Sequence, residues 1–134
     1  MKPTVRLLIA DDRFRSREGL RALLATWPTV QVVGEAVNGR EAVEMVAEHR
    51  PDVVLMDVLM PMMDGLEATR LIKARWPRVH VIIFTMYPSY EDSAMANGAD
   101  AFLVKGCRST ELLATISEQA YKDLRHREGI ARCG

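Results

Sequence analysis

The sequence predicts an α/β fold with a five-stranded parallel sheet and helices on both of its faces. Five short runs rich in Val, Ile and Leu do not alternate with polar residues, which is typical of strands buried on both faces. Stretches with apolar residues at helical spacing separate these runs, and such strict alternation requires right-handed crossovers between parallel strands. The predicted strands are residues 5–10, 30–33, 53–56, 79–84 and 101–104.

Turn and cap residues agree with this order of elements. Asn38-Gly39 opens the second predicted helix and Pro51 closes it, because asparagine caps helix N-termini and proline ends helices. Ser89 and Ser109 are the predicted N-caps of the fourth and fifth helices. Each predicted helix therefore lies between two predicted strands or follows the last one.

The composition limits the chain to one domain and argues against several classes of function. A length of 134 residues with 49% hydrophobic side chains suits one compact core. Eighteen basic residues balance eighteen acidic ones, so no overall field attracts nucleic acid or a membrane surface. The apolar run 7–10 is too short for a signal peptide or a membrane span. Cys107 and Cys133 have no metal-ligand spacing, which predicts reduced thiols in a cytoplasmic protein, with a disulfide as the alternative.

Polar side chains follow four of the predicted strands at the point where each strand ends. Asp11-Asp12 follows the first strand, Asp57 the third, Thr85 the fourth and Lys105 the fifth. Ligand sites in open parallel sheets lie outside the carboxyl ends of the strands, where the strand order reverses. If the order is 2-1-3-4-5, the first and third strands are neighbours and three carboxylates converge at one edge.

Converging carboxylates favour a hard divalent cation, because they otherwise repel one another and take up protons. Mg²⁺ is the predicted ion, since it prefers oxygen ligands and is usually held by one or two carboxylates plus a phosphate. Asp57 is the predicted nucleophile for an aspartyl phosphate, with Asp11 and Asp12 as metal ligands. Thr85 and Lys105 supply a hydroxyl and an ammonium to the same position. Each of these residues has an ordinary explanation alone, such as helix capping or a solvated lysine, but their joint order favours a functional site.

The residues at these strand ends resemble the receiver domains of two-component response regulators. The segment 53–65 (VVLMDVLMPMMDG), the pair Asp11-Asp12, Thr85 and Lys105 carry the resemblance, which extends over about residues 5–120. It implies a flavodoxin-like (βα)5 fold with strand order 2-1-3-4-5. It also implies phosphotransfer from a sensor histidine kinase to Asp57.

The resemblance further implies specific roles within the site. Asp12 would bind Mg²⁺ directly, Asp11 largely through water, and the backbone carbonyl of Leu59 would complete the protein's ligands. Thr85 and Phe102 occupy the positions of a switch in which the hydroxyl moves toward the phosphoryl group and the aromatic ring fills the vacated space. Phe102 is equally explained as a core aromatic residue.

One position departs from the usual receiver pattern, and two others vary within it. Gly106 follows the lysine where receivers usually carry a proline, so the loop before the last helix is expected to be more mobile. Leu59 and Tyr87 occupy the variable positions that flank the acceptor. Their bulk is expected to obstruct an attacking water and to lengthen the phosphorylated lifetime.

The predicted domain division is a receiver domain over residues 1–121 and a helix end with a linker or tail over residues 122–134. The segments 5–12, 17–24 and 33–36 are similar to the subfamily with a C-terminal helix-turn-helix output domain. The chain is then either a stand-alone receiver or the receiver part of a transcriptional regulator. The resemblance implies that the face made by the fourth helix, fifth strand and fifth helix is the usual contact surface, which could carry a homodimer, but ordinary helix packing explains the apolar residues on this face better. These residues are Tyr90, Met95, Ala96 and Tyr121.

Two other classes of protein remain as alternatives. Phosphatases that form an aspartyl phosphate carry a DxD motif after the first strand, whereas here the two acids are adjacent and the predicted nucleophile follows the third strand. The sequence therefore favours a phosphoacceptor that catalyses only its own phosphorylation and dephosphorylation over an enzyme. An interaction module that keeps the fold without using phosphate is the second alternative. A nucleotide-binding protein is disfavoured, since no glycine-rich phosphate loop follows the first strand.

Overall fold

The strands form one twisted layer whose order matches the sequence-based prediction. The computed structural model describes the backbone of residues 4–133 and the side chains of residues 4–122. Within these residues the strands are β1 (Val5–Ala10), β2 (Val30–Ala36), β3 (Val53–Met56), β4 (His80–Thr85) and β5 (Ala101–Val104). They are parallel and lie in the order β2-β1-β3-β4-β5, so the predicted order 2-1-3-4-5 is confirmed.

The helices follow the strands as predicted, but two of their starts differ from the prediction. They are α1 (Phe14–Leu24), α2 (Gly39–His49), α3 (Gly65–Arg75), α4 (Glu91–Ala96) and α5 (Ser109–Cys133). The Asn38 side chain accepts a hydrogen bond from the Glu41 amide at 2.7 Å, so the predicted cap of α2 is confirmed. Ser89 is not the cap of α4, because it lies inside a 3₁₀ turn (Pro88–Tyr90) that precedes the helix. Ser109 is the first residue of α5 rather than its cap.

The two faces of the sheet carry two separate apolar clusters, because successive strand residues point to opposite sides. On one face Leu8, Val54 and Ile83 belong to the cluster that includes buried residues of α2, α3 and α4. On the other face Leu7 and Leu55 belong to the cluster that includes buried residues of α1 and α5. The prediction of helices on both faces is therefore confirmed.

The strand β2 is longer than its sequence pattern predicts. The polar residue Glu35 interrupts the apolar run, yet pairing with β1 continues as far as Ala36 after a register shift between Leu7 and Leu8. An edge strand tolerates a polar side chain when that side chain finds a partner, and Glu35 pairs with Arg17 at 3.3 Å and with Arg21 at 2.9 Å. Tertiary ion pairing thus extends the strand beyond its apolar core.

The last helix runs through the predicted boundary between residues 121 and 122. Its backbone is helical from Ser109 to Cys133, while the side chains of the predicted tail beyond Lys122 lie outside the described residues. The division into residues 1–121 and 122–134 stays a prediction, as does the redox state of Cys133. No helix in the part of the chain that the structure describes has the length and apolarity needed to cross a bilayer.

The start of α3 lies against the backbone of the strand-end residue Asp57. The Gly65 amide donates a hydrogen bond to the Val58 carbonyl at 2.8 Å. A Cβ atom built on Gly65 would lie 1.8 Å from the Asp57 carbonyl oxygen, which is far inside contact distance. Only glycine allows this approach, so the loop after β3 and the start of α3 are held together at this position.

We expect Gly65→Ala to lower the free energy of unfolding by roughly 1–3 kcal/mol, because the backbone must move to admit the methyl group. Gly19→Ala is the matched control, since Gly19 lies in α1 with no atom within 4 Å of its built Cβ. That control is expected to stabilise the protein by about 0.5–1 kcal/mol through helix propensity. Urea unfolding of both variants measures the difference, and equal stability of the two would contradict the proposed close approach.

Candidate functional site

The carboxyl ends of β1, β3 and β5 bring one lysine and two aspartates into direct contact. The Lys105 ammonium donates hydrogen bonds to Asp57 Oδ2 at 2.8 Å and to Asp11 Oδ2 at 2.6 Å. Asp11 and Asp57 are both buried, and 16% of the lysine side chain is exposed. Folding therefore gathers Asp11, Asp57 and Lys105 at one edge of the sheet.

Asp11 is the most extensively hydrogen-bonded of the acids. Its Oδ1 accepts from the Arg13 amide at 2.9 Å, and its Oδ2 accepts from the Ser16 hydroxyl at 2.6 Å. The Arg17 side chain donates to the Asp11 backbone carbonyl at 2.7 Å. The start of α1 therefore fixes the orientation of this carboxylate toward Lys105.

The electrostatic environment favours the charged forms of Asp11 and Lys105. Burial raises the pKa of Asp11, but hydrogen bonds from Lys105, Ser16 and the Arg13 amide outweigh it and hold the pKa below its usual 3.8. Burial lowers the pKa of Lys105, but hydrogen bonds to Asp11 and Asp57 outweigh it and hold the pKa above its usual 10.5. The lysine is therefore a permanent cation at neutral pH.

Asp57 presents one oxygen to the lysine and the other to its own loop. Its Oδ1 accepts a hydrogen bond from the Val58 amide at 2.7 Å, while its Oδ2 accepts from Lys105. The Asp57 amide donates to the Ala10 carbonyl at 2.9 Å, which continues the pairing of β3 with β1 by one residue. The side chain is thus anchored at the strand end rather than on a free loop.

Thr85 lies at the end of β4, between the two strands that supply Asp57 and Lys105. Its side chain is fully buried, and its hydroxyl accepts from the Tyr87 amide at 3.4 Å. The Lys105 amide donates to the Thr85 carbonyl at 2.8 Å, which fixes the start of the loop between β5 and α5. Among the described residues, no hydrogen bond joins the Thr85 hydroxyl to Asp57 or to the lysine side chain.

The other residues of the predicted metal site are not joined to this cluster. Asp12 is exposed and has no ion pair with any described side chain. Over the described side chains, no group of three or more His, Cys, Asp or Glu residues is arranged to hold a metal ion. The single Lys105 ammonium offsets only one of the two charges of Asp11 and Asp57, and the metal ligand set stays a prediction.

Phe102 packs partly buried against the apolar cluster beneath α2, α3 and α4, and its backbone pairs with Ile83 of β4. This packing is that of a core aromatic residue. The role of Phe102 as the partner of Thr85 in a switch stays a prediction.

The loop after Lys105 has a backbone conformation that explains its glycine. Gly106 has a φ of +101°, and nothing lies within 4 Å of a Cβ built on it. A proline ring fixes φ near −65°, so proline cannot adopt this conformation. Leu59 and Tyr87 are 46% and 42% exposed, so both predicted flanking side chains are accessible to solvent.

Ser16 is the contact residue that the sequence did not reveal. Its hydroxyl donates to Asp11 and accepts from Lys105 at 3.1 Å, which joins the two charged groups. The one sequence signal for this contact is that Ser16 lies in the first turn of α1, four residues after Asp12. A serine in that position has many ordinary explanations, so the residue type alone does not identify it.

Comparison with known proteins agrees with this fold. Residues 7–117 match the family model of the response regulator receiver domain. The chain therefore belongs to the receiver domain family of two-component response regulators.

Proteins similar to this chain include transcriptional regulators. The transcriptional regulatory protein YhcZ of Bacillus subtilis is 39% identical over 113 residues, which cover 83% of this chain and 53% of that protein. The transcriptional regulatory protein DegU of Brevibacillus brevis is 35% identical, with coverage of 84% and 48%. A crystal structure of a LuxR-family two-component response regulator from Aurantimonas has a TM-score of 0.84 and 30% identity, with coverage of 98% and 99%. The chain spans about half the length of the curated relatives it matches.

We expect Lys105→Met to destabilise the protein by roughly 1–3 kcal/mol at neutral pH, because two buried carboxylates lose their shared cation. The Asp11 pKa lies below its unfolded value, so its contribution to stability is present above that value and is lost as pH falls through the folded pKa. Without the ammonium the Asp11 pKa rises toward or above its unfolded value, so the variant, less stable at neutral pH, should lose less stability than the wild type as pH falls. Urea unfolding in EDTA from neutral pH down to about pH 3 measures this.

The exposed Lys122 provides the matched control for this experiment. Lys122→Met also removes one ammonium but leaves the carboxylates paired, so its acid unfolding profile should follow that of the wild type. A Lys105→Met profile that coincides with the control would contradict the role of the shared ammonium.

Proposed function

We propose that this chain is a phosphorylation-dependent signalling switch that accepts one phosphoryl group on Asp57 from a sensor histidine kinase. The observation that carries the proposal is the Lys105 ammonium held between the buried carboxylates of Asp57 and Asp11 at the strand ends. Receiver domains of response regulators are phosphorylated by sensor histidine kinases, and this chain belongs to that family.

The chemistry requires a nucleophilic oxygen and charge neutralisation. An Asp57 carboxylate oxygen forms a bond to phosphorus while the bond from phosphorus to the donor breaks. Lys105 is within hydrogen-bond distance of that carboxylate and would neutralise part of the charge on the phosphoryl oxygens. The buried Thr85 hydroxyl at the neighbouring strand end is the second donor. On this proposal Asp57, Lys105 and Thr85 are the residues that act on the phosphoryl group.

Mg²⁺ is the proposed cofactor, and the oxygen donors around Asp57 suit it. Asp11 and Asp57 offer carboxylates, and the exposed Asp12 carboxylate accepts no hydrogen bond from the described residues. The Leu59 carbonyl is likewise not engaged in a hydrogen bond with a described residue. Mg²⁺ prefers such hard oxygen ligands and would supply charge neutralisation for the transferred group.

The proposed output is a change in packing between Thr85 and Phe102. Thr85 and Phe102 lie on the neighbouring strands β4 and β5, so movement of the hydroxyl toward the phosphoryl group would change the space available to the ring. The surface formed by α4, β5 and α5 would carry this change to a second copy of the chain. In the whole protein, by analogy with its relatives, we propose a cytoplasmic transcriptional regulator whose DNA contacts lie outside this segment.

Acetyl phosphate with Mg²⁺ should add one phosphoryl group to the wild-type chain and none to Asp57→Asn, because the amide is not a nucleophile for phosphorus. Asp64→Asn is the matched control, since Asp64 caps α3 in the same loop and asparagine keeps that cap. Intact mass measures the labelling. Labelling of Asp57→Asn, or continuous turnover of phosphate monoesters by the wild type, would contradict the proposal, and EDTA should abolish labelling if Mg²⁺ is required.

Leu59→Asn and Tyr87→Ala should each shorten the half-life of the phosphorylated chain, because both side chains would shield Asp57 from water. We expect a change of roughly threefold to tenfold, which corresponds to about 1 kcal/mol in activation free energy. Gln31→Ala is the control, since Gln31 is exposed near the amino end of β2, at the other end of the sheet from Asp57. Intact mass over time after removal of the donor measures the loss. Unchanged half-lives in both variants would refute the shielding role.

A further inference from the structure

A cleft lined by charged and apolar side chains lies at the opposite end of the sheet from Asp57. Its volume is about 390 Å³, and Arg50, Asp52, Trp76 and Arg78 are among the residues that line it. Asp52 precedes β3 and Asp57 follows it, so the two positions are roughly 16 Å apart at about 3.3 Å per strand residue. The cleft is therefore separate from the phosphoacceptor site.

Arginine side chains gather around one tryptophan at this cleft. The guanidinium carbon of Arg50 is 5.2 Å from the centroid of the Trp76 ring, and that of Arg75 is 4.9 Å from it. Arg78 lines the same cleft from the loop before β4. None of these three arginines has an ion pair with a described carboxylate. A concentrated positive charge therefore lies beside an aromatic surface.

The one acid at the cleft does not balance these charges. Asp52 accepts a hydrogen bond at Oδ2 from the Arg6 backbone amide at 2.8 Å, and it has no ion pair with a described arginine. Two guanidinium groups and one carboxylate line the cleft, and Arg75 adds a third guanidinium over the Trp76 ring, so positive charge is in local excess although the chain as a whole carries no net charge. Such a local field attracts small anions.

The backbone that carries Arg50 is held in a specific conformation. Arg50 is the C-cap that follows the last residue of α2. Its φ of 45° lies in the left-handed region, where glycine or asparagine is usual. The Arg6 guanidinium donates to the His49 and Arg50 carbonyls at 2.7 and 3.1 Å, and Arg50 Nε donates to the Ala47 carbonyl at 3.2 Å. The end of α2 is thereby fixed with the Arg50 side chain beside Trp76.

We propose that this cleft binds a small molecule that carries a phosphate or carboxylate group, and this goes beyond the phosphoacceptor function. Arg50 and Arg78 bind the anionic group, because guanidinium matches the paired oxygens of either group. Trp76 provides the apolar surface for the rest of the molecule. The cleft has the volume typical of small-ligand sites, which favours a small anion over a protein segment.

Trp76 fluorescence measures the binding directly. The chain contains two tryptophans, so Trp27→Phe leaves Trp76 as the sole reporter, and the thermal midpoint of the unmodified chain provides an independent readout. Pyrophosphate represents the phosphate source and citrate the carboxylate source, each titrated at constant ionic strength. We expect one of them to give a saturable fluorescence change and to raise the thermal midpoint.

Substitutions test whether the anion binds at this cleft rather than at the Asp57 site or through the general charge of the protein. Arg50→Ser and Arg78→Ser should each weaken binding roughly tenfold or more, because each removes a charged hydrogen-bond donor. Arg40→Ser is the control, since Arg40 is exposed on α2 and pairs with Glu44 at 3.6 Å. Lys105→Met should leave binding unchanged, because that lysine lies at the other end of the sheet.

The outcomes decide between specific alternatives. Saturable binding of pyrophosphate or citrate that is lost in both arginine variants supports the proposal and identifies the source of the anion. Binding of neither probe at millimolar concentration would overturn it, as would equal binding by the Arg40→Ser, Arg50→Ser and Arg78→Ser variants. Saturable binding of a glutamate-rich peptide without either small anion would also overturn it and would assign the cleft to an acidic protein segment.

Discussion

The shared ammonium of Lys105 is the interaction on which the rest of this site depends. Strand β4 lies between β5 and β3, so the lysine must reach across roughly two strand spacings of about 4.8 Å to contact Asp57. A long, flexible cation can do so, and the buried Thr85 at the end of β4 is small enough to leave that path open. Without the ammonium, two buried carboxylates would face each other with no compensating charge, and one of them would have to take up a proton.

The acceptor loop is held from both sides by the helices that begin beside it. Gly65 joins the loop to the start of α3, and the Gly39 amide at the start of α2 donates to the Met63 carbonyl at 2.8 Å. The Asn38 amide group also donates to the sulfur of Met62 at 3.5 Å, and Met62 itself has a φ of +70°. The loop is thus fixed through backbone contacts that only glycine permits. The exposed Leu59 side chain takes no part in these contacts, so another residue at position 59 would keep the loop geometry.

The sequence predicted those features of the fold and site that depend on periodicity and strand order. Asp11, Asp57 and Lys105 could be placed together because each directly follows a strand, and parallel strands end at the same edge of the sheet. Ser16 could not, because its contact depends on how the first turn of α1 packs above β1. Ser89 was misassigned since Pro88 begins a 3₁₀ turn before the helix, and a local pattern of capping residues does not distinguish the two kinds of turn. The conformation of Gly106 is likewise a tertiary property that the residue type permits but does not specify.

The chain has no net charge, but the two ends of the sheet carry opposite local charges. At the carboxyl ends of the strands, two buried acids share one lysine, so their charge is partly compensated within the protein. At the amino ends, the Arg50 guanidinium lies over Trp76 and Arg78 lines the same cleft, and neither pairs with a described carboxylate, so their charge is compensated by solvent. Charges that are paired within the protein are held in a defined geometry, which suits a reaction site. Charges that are balanced only by solvent stay available to an external anion. The sheet separates the two, since the strands between them are buried and carry apolar side chains.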